Sequence, residues 1–426
     1  MKFTLFCLFI GLLLTNTSWS QEIAKASENK KNEQEELLKE NQQNANSLQK
    51  ENSDTLGVEN SRFKLINGDT DRKIEINTGK VSFGIKYSAR LQTRMDLTSV
   101  PHTEEPSFDR RLWIRRARVK SSGYLFHKSL GYKFEADVVG NQILDAVIQW
   151  NFYKNFTLWV GQTKLPGNRE RVISSQNLQF VDRSLLNKQY NIDRDKGIQL
   201  HHHFNIGNFL IREKAAVSLG EGKNYSYNEN DVEGNKGYGF TGRLEFLPFG
   251  NFSKKGDYSE ADLVREKTPK LSVGVSYDYN DNAIREKGRL GDLIHVESPG
   301  DLSAWYVDAM FKYNGFSAMG EYTKRTSSYN NPAEVKAIDD FQFFYVGTGL
   351  NMQAGYLFKK NWEIAARFTT ISPEDEIRKN DIDEYTFALS KYIIGHKIKV
   401  QNDFSYQREE TKPSKYIYRI QLELSF

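Results

Sequence analysis

Cationic side chains recur along this chain at spacings of two and four. Lys86, Arg90 and Arg94 lie on one parity of the run "VSFGIKYSARLQTRM". The next run, "FDRRLWIRRARVKSSGYLF", places Arg116, Arg118 and Lys120 at alternate positions, and Lys133 follows in "LGYKFEADVV". Arg169, Arg171 and Arg183 lie in a patternless stretch, 166–197. Fixed cations spaced along one wall attract anions and replace part of their hydration. Glu135, Asp137, Asp145, Glu363, Asp403 and Glu423 are interleaved with them as counter-charges. Two readings therefore stay open: a wall that prefers anions, and a balanced polar wall that only holds water.

Other chemistries find less support. His201 and His203 of "HHHFN" share one strand face, but a metal needs further ligands converging on it, so no metal and no cofactor is expected. No G-x-S-x-G nucleophile turn occurs, and the carboxylates of "SPEDE" fall in an expected outer loop, where charges are solvated. Enzyme activity is not expected. Nucleic acid is excluded as a partner by near-balanced charge, +4 over 426 residues, and by the export signal described below.

The elements that position these cations alternate apolar and polar residues with period two from Lys80 onward. In "VSFGIKYSARLQTRM", Phe83, Ile85, Tyr87, Ala89, Leu91 and Met95 oppose the cations. About sixteen such runs start near 81, 111, 129, 143, 156, 196, 209, 237, 270, 302, 315, 341, 362, 383, 396 and 416. Aromatics make up 13% of the chain and prolines number only 9, which favours strands. Connections alternate short and long, as in a transmembrane β-barrel. Two connections break that rule: 140–142 is short, and 249–269 is long where a turn is due. Near Arg115 the parity slips, because Leu112 and Ile114 share a face with Arg116, and a bulge there would restore it. In the long stretch Leu178, Val181 and Leu185 recur at helical spacing, predicting a short helix capped by Ser174 or Ser175. Whether this stretch folds into the lumen or outward is left open.

The ends carry their own signals. "MKFTLFCLFIGLLLTNTSWSQ" has a basic start, an apolar core and small residues before Gln21, as expected of a cleaved signal peptide over 1–20. Cys7, the only cysteine, lies inside it. Residues 21–79 are rich in Glu, Lys, Asn and Gln and predict a polar periplasmic segment, partly helical or disordered. The last run, "KYIYRIQLELSF", is an amphipathic strand whose pairing with the first strand, near Val81–Met95, would close the barrel and leave no edge.

Taken together, "FDRRLWIRRARVKSSGYLF", "YKFEADV" and "FTLWVGQTKLPGN…LQFVDRSLLN" resemble the phosphate-selective porin O and P family. The matching positions are Arg115, Arg116, Ala117, Arg118, Gly123, Gly161, Gln162, Lys164 and Pro166. Val119-Lys120-Ser121 and "GNRER" depart from the family pattern. The terminal aromatic also resembles the C-terminal signature of bacterial outer-membrane barrels. The resemblance implies a sixteen-stranded porin in the outer membrane of a Gram-negative bacterium, a homotrimer with an inward-folded third loop. It implies inorganic phosphate or other small anions as solutes and outer-membrane lipid as surroundings. The expected fold is thus all-β, a transmembrane antiparallel barrel over 80–426. The expected pore-lining set is Lys86, Arg90, Arg94, Arg116, Arg118, Lys120, Lys133, Arg169, Arg171 and Arg183. The alternative is a non-conducting structural or adhesive barrel that binds partners through its long loops.

Overall fold

A computed structural model describes residues 63–67, 72–77, 82–101, 106–225, 237–294, 300–328 and 343–426. Two short strands come first, β1 (Phe63–Asn67) and β2 (Arg72–Asn77). The barrel strands follow: β3 (Ser82–Val100), β4 (Ser107–Tyr124), β5 (Leu130–Asp137), β6 (Gln142–Tyr153), β7 (Phe156–Lys164), β8 (Arg194–Ile206), β9 (Phe209–Ser218), β10 (Gly239–Leu247), β11 (Lys270–Ala283), β12 (Gly300–Tyr313), β13 (Phe316–Ser327), β14 (Gly347–Leu357), β15 (Trp362–Pro373), β16 (Ile382–Ile394), β17 (Ile398–Glu409) and β18 (Lys412–Ser425). Each strand from β3 to β18 pairs antiparallel with the next, and β18 pairs back onto β3 from Tyr416↔Ser99 to Ser425↔Arg90. The result is a closed barrel of 16 strands, as the period-two pattern predicts. Phe426 completes the seam, its N–H donating to Ala89 O at 3.0 Å and its carbonyl accepting from Ala89 N at 2.8 Å. Closure leaves no unpaired sheet edge, which a bilayer could not satisfy.

The barrel is apolar outside and polar inside. Leu112, Ile114, Val119, Ile148, Val160, Trp305, Phe387 and Leu389 lie exposed on the outer surface. Gln92, Asp145, Arg243, Asp308, Asn351, Lys399 and Glu423 are buried within. A band of large apolar side chains this extensive needs lipid, not water, against it. The parity slip has the expected cause. Register passes from Gln92↔Arg116 to Thr93↔Ile114, so Arg115 is the extra residue of a bulge. Leu112 and Ile114 thereby return to the outer face.

The signal peptide expected over 1–20 lies outside the described residues, as does most of the segment 21–79. Within that segment β1 and β2 were not expected. They pair as a hairpin, and β2 continues onto β3 at Ile74↔Ile85, below the point where β18 leaves off. Short turns gather at one end, as at Asn314-Gly315 between β12 and β13. The loops that run inward come from both ends and decide the shape of the lumen.

Candidate functional site: a cation-lined passage

The connection between β7 and β8, residues 165–193, folds into the barrel; we call it the inner loop. It carries two short helices, α1 (Arg169–Val172) and α2 (Leu185–Tyr190). The helix predicted after Ser174 or Ser175 instead begins at Leu185. Its cap is Ser184, whose Oγ accepts the Asn187 N–H at 3.2 Å. The stretch before it stays non-helical because wall side chains take its carbonyls. Lys399 Nζ donates to Leu178 O at 2.9 Å, and Gln401 Nε2 to Gln179 O at 2.9 Å. A helix would withdraw those carbonyls into its own ladder.

The loop lies across the β10–β18 half of the barrel. Arg325 Nη2 donates to Tyr190 O at 2.8 Å, Arg367 Nη1 to Asp182 O at 2.9 Å, and Val181 N to Asp403 Oδ2 at 3.0 Å. On this half the inward side chains are sealed: Lys312, Thr323, Thr369 and Lys399 are each 0% exposed. On the β3–β9 half the wall is mixed: Gln92 and Asp145 are sealed, while Arg118 retains 15% and Lys133 26% of the side-chain surface. Water therefore reaches the lumen wall at points along β3–β9.

Asp182 fixes the loop to β3 and β4. Arg94 Nη1 lies 2.7 Å from its Oδ2, Arg116 Nη2 3.5 Å from its Oδ1, and Arg115 Nη2 3.7 Å from its Oδ2. Burial works to raise the Asp182 pKa, but Arg116, Arg115 and Arg94 outweigh it and hold the carboxyl well below the usual carboxylate range. The bulge makes this clamp possible, since it lets the adjacent Arg115 and Arg116 reach one carboxylate.

Along the open side, cations share a smaller set of carboxylates. Arg118 meets Asp137 at 3.1 Å and Glu135 at 3.3 Å. Asp145 accepts from Lys133 at 2.6 Å and from Arg194 at 3.1 Å. Asp193 accepts from Arg171 Nε at 2.6 Å and Lys223 Nζ at 3.0 Å. Burial works to raise the Asp193 pKa, yet Arg171, Lys223 and Arg194 push it far down. Lys120 makes no ion pair among the described residues. Lys164 and Arg183 have backbone partners instead: Lys164 Nζ donates to Val172 O and Ile173 O at 3.0 and 3.1 Å, and Arg183 Nη2 to Ile173 O at 2.7 Å. Their charge is not neutralised by those carbonyls.

A family model described as phosphate-selective porin O and P matches residues 87–426. The chain belongs to the phosphate-selective porin O and P family. It is thus an outer-membrane porin of a Gram-negative bacterium, and its family and fold are those of a channel. An uncharacterized protein of Aquifex aeolicus is 24% identical over 387 residues, covering 80% of this chain and 87% of that protein. Among solved structures, OprB of Pseudomonas putida aligns with TM-score 0.50 and 10% identity, over 80% of this chain and 94% of that one. An anion-selective porin from Comamonas acidovorans aligns with TM-score 0.49 and 10% identity, over 80% of this chain and all of that one (100%). These likenesses concern the barrel fold.

The porin's expected lining residues separate into three groups. Arg118, Lys120, Lys133 and Arg171 face the open side, and Lys86 lies on the same wall, only partly buried. Arg90, Arg94 and Arg116 are structural in their contacts. Arg90 grips Glu423 through Nε and Nη2, each at 3.1 Å, and Ser175 through Nη1; Arg94 and Arg116 hold Asp182. Arg169 is 2% exposed and paired with Asp308 at 2.5 Å, away from the open side, and Arg183 braces the inner loop's own backbone. Sequence reasoning missed Asp182, Asp193, Arg194, Lys196 and Lys223. The dense "NIDRDKG" after the inner loop was the available signal for Asp193, Arg194 and Lys196. His201 and His203 face the lumen near the turn end, and the described residues hold no group of three or more metal-ligating side chains. Gly161 and Gly123 of the family motifs admit close strand contact. At Gly161, with φ +127°, a Cβ would lie 2.2 Å from Ala146 O.

Proposed function

We propose that this porin passes small hydrophilic anions by passive diffusion along the β3–β9 wall, and that inorganic phosphate is among them. One observation supports this most: among the described residues Lys120, Lys164 and Arg183 form no ion pair with a carboxylate, while Asp145 and Asp193 are each shared by several cations. The open side thus carries excess positive charge in a channel with low-dielectric walls, which raises local anion concentration. Lys86, Arg118, Lys120, Lys133 and Arg171 line the path, and Arg90, Arg94, Arg116, Arg169 and Arg183 set its shape. The family description supports phosphate as the solute. We assign the homotrimer that the family resemblance implies, embedded in outer-membrane lipid, with residues 1–20 as its export signal.

The test is single-channel current in a planar bilayer under a chloride gradient, followed by phosphate titration. An anion-signed reversal potential with phosphate blocking chloride current supports the full reading. An anion-signed potential without block leaves an anion porin with no phosphate site. A cation-signed or zero potential refutes anion preference. Absence of current from correctly folded protein points to the non-conducting barrel.

A further inference from the structure

The connection between β10 and β11, residues 248–269, is long where the alternation calls for a turn. It enters the barrel from the turn end, opposite to the inner loop. Its own position is fixed by the wall. Lys312 Nζ spends its three protons on Gly256 O, Ser259 O and Ala261 O, at 2.7, 2.7 and 2.8 Å. Asp262 Oδ2 accepts the Gly315 N–H at 2.8 Å, Glu266 O accepts from Asn314 N at 2.8 Å, and Arg265 Nη1 donates to Leu357 O at 2.7 Å. The insert is therefore bound to strand β12 and to two neighbouring turns.

The two inward segments meet near the turn end, beside the β16–β17 turn, where Gln176 Nε2 donates to His396 O at 3.3 Å and Ser259 Oγ lies 2.7 Å from His396 Nε2. Glu260 N donates to Asn177 O at 3.0 Å, Asn177 Nδ2 to Tyr258 O at 3.0 Å, and Gln179 N to Glu260 Oε2 at 2.7 Å. Phe252 packs with Ile173 and Leu178 beneath this joint. We propose that the insert is a fixed abutment for the constriction, and that Glu260 is the positioning residue holding the inner loop against it. The width of the passage is then set from both ends of the barrel. This rests on conduction along the β3–β9 wall, since the joint keeps the opposite half sealed.

The joint is built to respond to protonation. Glu260 faces Glu170 and Arg183 of the inner loop, Arg367 of β15, Tyr392 of β16 and Lys399 of β17. Its Oε1 is buried near the Gln353 side-chain amide, which favours the ionised carboxyl but is outweighed. Burial, with the Glu170 carboxylate second, pushes the Glu260 carboxyl up to about 7. A raised carboxyl pKa means that the joined state holds the proton more tightly than a released loop does. The joint is firmest below the ordinary carboxyl range and weakens as pH rises through about 7.

The test compares full-length wild-type, Glu260→Ala and Glu260→Gln by unit conductance across pH 7, with barrel folding scored separately by heat-modifiable electrophoretic mobility. Unit conductance is the readout, so a failure of anion selectivity leaves this test standing. Wild-type conductance is expected to rise as pH passes 7. Glu260→Gln keeps an acceptor for Gln179 N–H and is expected to lose the pH response. Glu260→Ala is expected to conduct more at every pH. Wild-type conductance in Glu260→Ala, or an unaltered pH profile in Glu260→Gln, overturns the proposal.

Discussion

Replacing Asp182 by Asn removes the one carboxylate that Arg94, Arg115 and Arg116 share. At 2.7, 3.5 and 3.7 Å, each pair is worth about 4–6 kcal/mol of gross attraction at an effective dielectric constant of about 20. Most of that offsets the desolvation of buried charge. Removing one partner of a buried pair costs about 3–5 kcal/mol net, and the 23% exposure of the Asp182 side chain argues for the lower end, about 3 kcal/mol. The barrel itself is held by its strand ladders, so the loss falls on the inner loop. Local opening of that loop should rise about a hundredfold, since each 1.4 kcal/mol is a factor of ten. Tryptic cleavage after Arg183 reads this opening, because the bond is reachable only when the loop leaves the wall and cleavage is slow beside reclosing. Cleavage of Asp182→Asn at the wild-type rate in folded barrels would refute the clamp. The pH dependence has a definite sign. A depressed carboxyl pKa gives stability that is present above the ordinary carboxyl range and lost as pH falls through the lowered value. Amide hydrogen exchange of the inner loop in the wild type, corrected for the intrinsic rate at each pH, should therefore stay slow from neutral pH down through the ordinary carboxyl range.

Three further outcomes follow from particular contacts. Lys120→Glu changes the wall by two charges; at about 6 Å in water each is worth roughly 0.7 kcal/mol, so local anion preference should fall by up to about tenfold, seen as a shift in reversal potential. Gly123→Ala puts a Cβ 1.7 Å from Gly84 O, so the β3–β4 ladder must move and the folded fraction on electrophoresis should drop. Deleting Phe426 removes the two hydrogen bonds to Ala89 that finish the seam, about 1 kcal/mol each, and refolding into lipid vesicles should slow relative to wild type.

The chain by itself determined the barrel. Period-two patterning is local, and some sixteen such runs joined by alternating short and long connections fit a closed sheet in lipid. Strand starts such as 156, 209, 270 and 362 are legible for that reason. The bulge at Arg115 was legible too, because Leu112 and Ile114 demanded the outer face. Strand parity also put Lys86, Arg90, Arg94, Arg118 and Lys120 on the inner wall. Their roles belong to the tertiary structure. A cation's effect depends on which carboxylate meets it, and those partners come from far along the chain: Glu423 for Arg90, Asp182 for Arg94, Asp308 for Arg169. The inner loop's course was likewise undecided by its residues, because its helical spacing lost to carbonyl acceptors taken by Lys399 and Gln401. Residues 248–269 were visible only as an excess of length. Their direction into the lumen was set by Lys312 on β12, the register partner of Lys270; its three protons need three carbonyls.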